Sequence, residues 1–91
     1  MAAPTYIEIR ECVFVNAAQV ICIGVDGFGA AATVLVAVPG LHTMFHQDQI
    51  SGPAAQSVSL ELLKALGQES AEPGKMRVIT YLDGAVQTRY L

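Results

Sequence analysis

Charge is scarce in this chain. Charged residues make up 14% of its 91 residues, and five Lys and Arg against eight Asp and Glu give a net charge of −3. Ordinary globular proteins carry about 25% charged residues. Disordered chains are rich in charge and poor in apolar residues, so a composition that is 53% hydrophobic excludes disorder. We expect one folded domain over residues 1–91.

Basic residues are few and form no run along the chain. Proteins that bind nucleic acid present a basic stripe that displaces counterions from phosphates. The sequence predicts no nucleic-acid partner. The basic residues are Arg10, Lys64, Lys75, Arg77 and Arg89.

Tryptophan is absent, and the only cysteines are Cys12 and Cys22. Residues 1–5 show neither the basic nor the apolar segment of a secretory signal, so we expect a cytoplasmic protein whose two cysteines are buried thiols. The register derived below places the two cysteines opposite each other on neighbouring strands. A cross-strand disulfide is therefore the alternative.

A long apolar stretch, residues 20–38, contains a single charge, Asp26. Inserted in a bilayer, that charge near the middle would cost roughly 2.5–3.5 kcal/mol. A hairpin that reverses at Asp26 explains the same residues without that penalty. The sequence therefore predicts no membrane partner.

Two Asp-Gly dipeptides, Asp26-Gly27 and Asp83-Gly84, lie between runs of β-forming residues. A two-residue hairpin loop needs positive φ at both central residues, which Gly adopts freely and Asp tolerates. The first dipeptide predicts a hairpin with Val25 opposite Phe28.

The second dipeptide predicts a hairpin of residues 76–82 and 85–91. In its register Tyr81 lies opposite Val86, and Arg77 lies opposite Tyr90.

The first half of the chain reads as three strands, residues 6–15, 20–25 and 28–38. If residues 16–18 form a three-residue loop, Val15 faces Gln19 and Val13 faces Ile21, and the apolar residues of all three strands share one face. Pro39-Gly40 ends the third strand. Residues 41–50 have no clear period and read as a loop or a single helical turn.

Pro53 predicts a helix over residues 54–66, because proline is pre-organised for the first helical turn. Val58, Leu62 and Leu66 recur at helical spacing, and Gly67 provides a stop. The predicted class is α+β. Its single small antiparallel sheet has the order β-β-β-α-β-β along the chain, with the helix packed on one face.

Residues 27–32 fit the pattern G-x-G-x-x-A, in which Gly27 and Gly29 would approach a nucleotide pyrophosphate at a helix start. The residues that follow, including Thr33, Val34 and Val36, favour a strand instead. Nucleotide binding is therefore a minor hypothesis beside hairpin turn residues.

His42 and His46 would share one face if their segment were helical, and Asp48 could add a carboxylate. These residues are a candidate metal or ligand site, but two ligands seldom hold a metal alone, so a symmetric oligomer would have to supply the missing ones. The alternative is that they are ordinary polar surface residues. We expect no cofactor.

Low charge on a small domain indicates that part of its surface is buried against another chain. Our main hypothesis is a non-catalytic protein-binding module, either a self-assembling structural subunit or a small inhibitor or adaptor. Its partner would be another protein or further copies of itself. Small acidic proteins of this kind occur in phages and mobile elements. Arg and Tyr are enriched at interfaces, so the last hairpin supplies the predicted contact residues: Arg77, Tyr81, Arg89 and Tyr90.

A second hypothesis is a small dimeric enzyme or ligand carrier. Its pocket would lie between the helix and the sheet, with His42 and His46 at the mouth. The sequence contains no Ser/His/Asp spacing and no phosphate-binding Walker loop that would name a reaction.

Overall fold

The chain folds into two small sheets and one helix, which confirms the α+β class. The computed structural model describes residues 3–91. Within them lie a helix, α1 (Ala54–Gly67), and seven strands. The strands are β1 (Thr5–Arg10), β2 (Val13–Asn16), β3 (Cys22–Asp26), β4 (Thr33–Val38), β5 (Leu41–Met44), β6 (Arg77–Leu82) and β7 (Ala85–Tyr90).

The strands form two sheets rather than the single antiparallel sheet that the sequence predicts. The four-stranded sheet has the order β2-β1-β6-β7, and the three-stranded sheet has the order β3-β4-β5. In the larger sheet β1 and β6 run parallel, with Ile7 beside Ile79. Hairpin patterns report only strands that are neighbours in sequence. This long-range pairing instead buries both isoleucines in one core.

The predicted first strand, residues 6–15, is divided by a tight turn at Glu11 and Cys12. Its two halves pair with each other, with Ile7 opposite Val15, so the predicted pairings of strand 6–15 with strand 20–25 are wrong. Cys12 takes a left-handed φ of 60° in this turn. Cys12 and Cys22 are both exposed free thiols, and they do not face each other.

The hairpin around Asp26-Gly27 exists, but its register differs from the prediction. Val25 lies opposite Val34, not Phe28. Residues 27–32 form a longer loop that contains the short 3₁₀ turn Gly29–Ala31. Positive φ falls on Gly27 and Gly29, at 81° and 61°. Because Asp26 stays in the strand, the loop cannot close in two residues.

Strand β5 was missed by the sequence prediction, which assigned its residues to a loop. Pro39 and Gly40 do more than end a strand: they form a turn in which Gly40 has a φ of 79°. Proline followed by a positive-φ glycine is typical of such a turn. The turn folds β5 back on β4, with Val36 opposite Thr43.

The helix and the last hairpin agree with the prediction. Helix α1 begins directly after Pro53 and ends at Gly67. In the hairpin, Tyr81 lies opposite Val86 and Arg77 opposite Tyr90, as expected. Among residues 3–91, no helix is both long and apolar enough to cross a membrane.

Phe45 and His46 join the two sheets. The Phe45 N–H donates to the Val34 carbonyl of the smaller sheet at 2.9 Å, and the His46 N–H donates to the Ile9 carbonyl of the larger one at 2.7 Å. The ring of Phe45 is completely buried between them. Helix α1 closes the same core with Val58 and Leu62.

Phe45→Ala should lower the free energy of unfolding by about 3–5 kcal/mol, because it opens a cavity where the two sheets meet. Urea unfolding at neutral pH measures this change. Leu41→Ala, at an exposed position of the neighbouring strand, is the control and should change stability by less than about 1 kcal/mol. Equal effects of the two substitutions would contradict the assigned core.

Candidate functional site

A polar cleft lies at the end of the four-stranded sheet, and we call it the Glu8 cleft. It has a volume of about 340 Å³. Two of its residues, His46 and Asp48, come from the predicted metal site, and two others, Tyr81 and Arg89, come from the predicted interface. Glu8 and Thr80 also line it, as do Glu11, Gln49 and Leu82.

The Glu8 carboxylate is the best-bonded group of the cleft. Oε1 accepts a hydrogen bond from the Thr80 hydroxyl at 2.7 Å, and Oε2 accepts one from the Cys12 N–H at 3.2 Å. Arg89 Nη2 lies 4.0 Å from Oε1. Burial raises the pKa of Glu8, but these hydrogen bonds and the charge of Arg89 outweigh it and hold the pKa below its usual value.

His46 is buried, and its main chain has a φ of 47°. Its Nε2 lies 2.9 Å from the main-chain oxygen of Glu8, which accepts, so Nε2 carries the proton. Its ring packs edge-on against Phe45 at a centroid distance of 4.6 Å and lies 5.9 Å from the ring of Tyr81. The histidine is therefore held from three sides.

These bonds limit what the cleft can do chemically. A general base works best when its pKa lies near the working pH, and the pKa of Glu8 is shifted the other way. The Thr80 hydroxyl already donates to that carboxylate. The arrangement therefore fastens β1, β6 and the turn at Cys12 together.

The geometry gives the predicted metal site no support. His42 is exposed on β5, whereas His46 is buried in the Glu8 cleft and Asp48 is exposed in the turn that follows. The segment from His42 is a strand, so the helical spacing that would align the two rings is absent. Residues 3–91 contain no group of three or more His, Cys, Asp and Glu placed to hold a metal ion.

The predicted nucleotide turn at Gly27 and Gly29 also differs from its expected geometry. Both glycines have positive φ, but a three-residue 3₁₀ turn and strand β4 follow them. A dinucleotide site places the pyrophosphate at the start of an α-helix, and here no α-helix begins.

The four predicted interface residues of the last hairpin do not share one face. Arg77 is buried, and it donates from Nε to Thr5 Oγ1 at 3.1 Å and from Nη1 to the Gln68 carbonyl at 2.7 Å. The hydroxyl of Tyr90, a half-buried residue, accepts from the Ala71 N–H at 2.9 Å. Tyr81 is half-buried beside His46, and only Arg89 is largely exposed.

An apolar groove of about 580 Å³ runs between helix α1 and strand β3. We call it the α1–β3 groove. Val20, Ile21, Ile23, Leu63 and Leu66 line much of it. A pocket beside the helix was expected, but neither histidine lies at its mouth.

Sequence reasoning missed Glu8 as the centre of the polar cleft. Its alternation with Ile7 and Ile9 indicates only that it points away from the core. Its partner Thr80 is 72 residues away along the chain, so no local pattern could identify the pair.

The fold and the cleft define a small α+β protein in which the Glu8, Thr80 and His46 side chains of the cleft are hydrogen-bonded within the chain. No protein family, curated protein or solved structure matches this chain.

Glu8→Gln should lower the free energy of unfolding by about 1–2 kcal/mol at neutral pH, because charged hydrogen bonds are stronger than neutral ones. The folded pKa of Glu8 lies below its unfolded value. Its contribution is therefore complete above the unfolded pKa, about 4.3, and is lost as the pH falls through the folded one. Urea unfolding from neutral to strongly acidic pH should show the free energies of unfolding of the wild type and Glu8→Gln converge.

Glu11→Gln is the matched control, since Glu11 is an exposed acid in the turn that directly follows the strand of Glu8. A stability difference between wild type and Glu8→Gln that stays constant down to strongly acidic pH would argue against the assigned role of Glu8.

His46→Gly should be more stable than His46→Ala by about 1 kcal/mol, because glycine accepts a φ of 47° without strain. At ordinary helical positions the order is the reverse. Substitution of the exposed helical residue Gln56 by Gly and by Ala provides that comparison. The same order at both positions, measured by thermal unfolding, would contradict the strained conformation of His46.

Proposed function

We propose that this protein is a non-catalytic protein-binding subunit that works by self-assembly. One observation supports the proposal above the others: large apolar side chains are exposed on a chain with little charge to cover its surface. Monomeric proteins seldom expose extended apolar patches. These side chains are Phe14, Ile21, Val25, Phe28, Leu41, Leu60, Leu63, Met76, Leu82 and Leu91.

The bonding of the Glu8 cleft is consistent with a non-catalytic role. Its carboxylate and histidine are used inside the chain, which leaves binding as the use for the remaining surface. The same exposed surface would serve an inhibitor or adaptor that binds a different protein, and this is the second role we propose.

Sedimentation velocity on the untagged protein tests self-assembly. We expect a mass that rises with concentration from the 9.6 kDa of one chain to that of a defined oligomer. Association through apolar surface should also survive added salt, because screening weakens charge pairs and leaves apolar contacts intact. A mass of one chain at every concentration would contradict self-assembly.

The last hairpin can be tested as the contact surface in the same experiment. Arg89→Ala is the suitable variant because Arg89 is exposed, whereas Tyr90→Ala would also remove the acceptor of the Ala71 N–H. If the hairpin forms the interface, Arg89→Ala weakens association while the melting temperature stays within a few degrees.

A further inference from the structure

Strand β3 has a free edge. Among residues 3–91 it lies at the end of its sheet and pairs with β4 alone. The Phe45 N–H donates to the Val34 carbonyl, so the main-chain groups of Val34 point toward β5. The main-chain N–H and C=O groups of successive residues point to opposite sides of an antiparallel strand. The main-chain groups of Leu35 therefore point toward β3. By the register with β4, the main-chain N–H and C=O groups of Ile23 and Val25 face outward.

An apolar flank lies beside this edge. Leu63 lines the α1–β3 groove together with Ile21, and Gln56 lines a smaller cavity together with Val25 and Phe28. Leu60 lies four residues after Gln56 and three residues before Leu63, so all three lie on the same face of the helix. We call the exposed set the β3 flank: Ile21, Val25, Phe28, Leu60 and Leu63, with exposures of 69, 41, 90, 57 and 56%.

We propose that a second copy of this chain pairs with the β3 edge about a two-fold axis at Gly24, which would join the two three-stranded sheets into one of six strands. This rests on the proposed self-assembly and names its surface. In antiparallel register around Gly24, Ile23 lies opposite Val25 of the second copy. These are the residues with outward N–H and C=O groups, so four hydrogen bonds form across the axis.

The register also places Phe28 against a cavity that suits it. Phe28 lies two residues after β3 and Val20 two residues before it, so antiparallel pairing brings Phe28 of one copy to the same end of the interface as Val20 of the other. Val20 lines the apolar α1–β3 groove. The two-fold axis would therefore bring the exposed ring of Phe28 in each copy toward the α1–β3 groove of the other, a self-complementary contact that the axis forms twice.

Charge selects this arrangement over parallel pairing. Asp26 is the only charged residue of β3. Antiparallel pairing separates the two Asp26 side chains by four residues, about 13 Å along the strands, beyond the Debye length of about 8 Å. Parallel pairing would place them side by side.

The available surface is sufficient for a small interface. At about 200 Å² for a fully exposed large side chain, the β3 flank presents on the order of 600 Å². A standard interface buries about 800 Å² on each partner, and the strand edge adds main-chain surface.

A disulfide can test the register directly. Cys22 is an exposed thiol, and the register places it opposite Asp26 of the second copy in a non-hydrogen-bonded pair, where side chains are closest. In a Cys12→Ser background, Asp26→Cys should therefore give a covalent dimer on mild oxidation, seen on a non-reducing gel. Cys12→Ser alone and Cys12→Ser/Cys22→Ser/Asp26→Cys should stay uncrosslinked, and equal crosslinking in either control overturns the register.

A second experiment measures the contribution of Phe28. Phe28→Asp should weaken dimerisation at least about tenfold in sedimentation equilibrium. Leu41→Asp, at an exposed leucine of β5 on the opposite edge of the three-stranded sheet, should leave dimerisation unchanged. Circular dichroism confirms that both variants fold.

The outcomes separate this surface from the proposed function. A wild-type dimer that tolerates Phe28→Asp and yields no specific crosslink overturns the β3 surface and leaves self-assembly intact. A wild-type chain that is monomeric at every concentration overturns both the β3 surface and self-assembly. The β3 edge would then be available for binding to a different protein.

Discussion

The packing of the two sheets against each other depends on the connection at Phe45 and His46. Neither sheet is large enough to bury its apolar face alone, so each needs the other and helix α1. Phe45 hydrogen-bonds to one sheet and His46 to the other. The left-handed φ of His46 turns the chain between them. Two further N–H groups, of Gln49 and Ile50, donate to its carbonyl, and these bonds offset the local strain.

The same connection decides how the polar side chains are used. The His46 ring reaches the main chain of Glu8, and the Glu8 carboxylate in turn holds Thr80 and the turn at Cys12. A histidine beside a carboxylate often indicates catalysis. Here both groups are hydrogen-bonded to other parts of the chain, and these bonds connect β1 with β6 and with the segment of His46. What remains for interaction is the apolar surface.

Sequence predicted what local conformation determines and failed where distant packing decides. Asp83 and Gly84 both take positive φ, at 53° and 78°, so their hairpin was predictable to the residue. The identical dipeptide at Asp26 forms a longer loop, because Val34 and Val36 must reach the core opposite Val25 and Ile23. Strand β5 lacks alternation because it is short and partly exposed. The Glu8–Thr80 pair joins residues too far apart in sequence for any motif.

The four sheet edges show why one of them stands out. Natural proteins protect edges by keeping them short, by placing charged or polar residues on them, or by covering them. Strands β2 and β5 have only four residues each, and β7 contains the polar run Gln87, Thr88 and Arg89. Strand β3 has five residues, with a charge only at its end, beside exposed apolar side chains. An edge so little protected, in a protein so poor in charge, is the reason that β3 is the strand we propose to pair with a second copy.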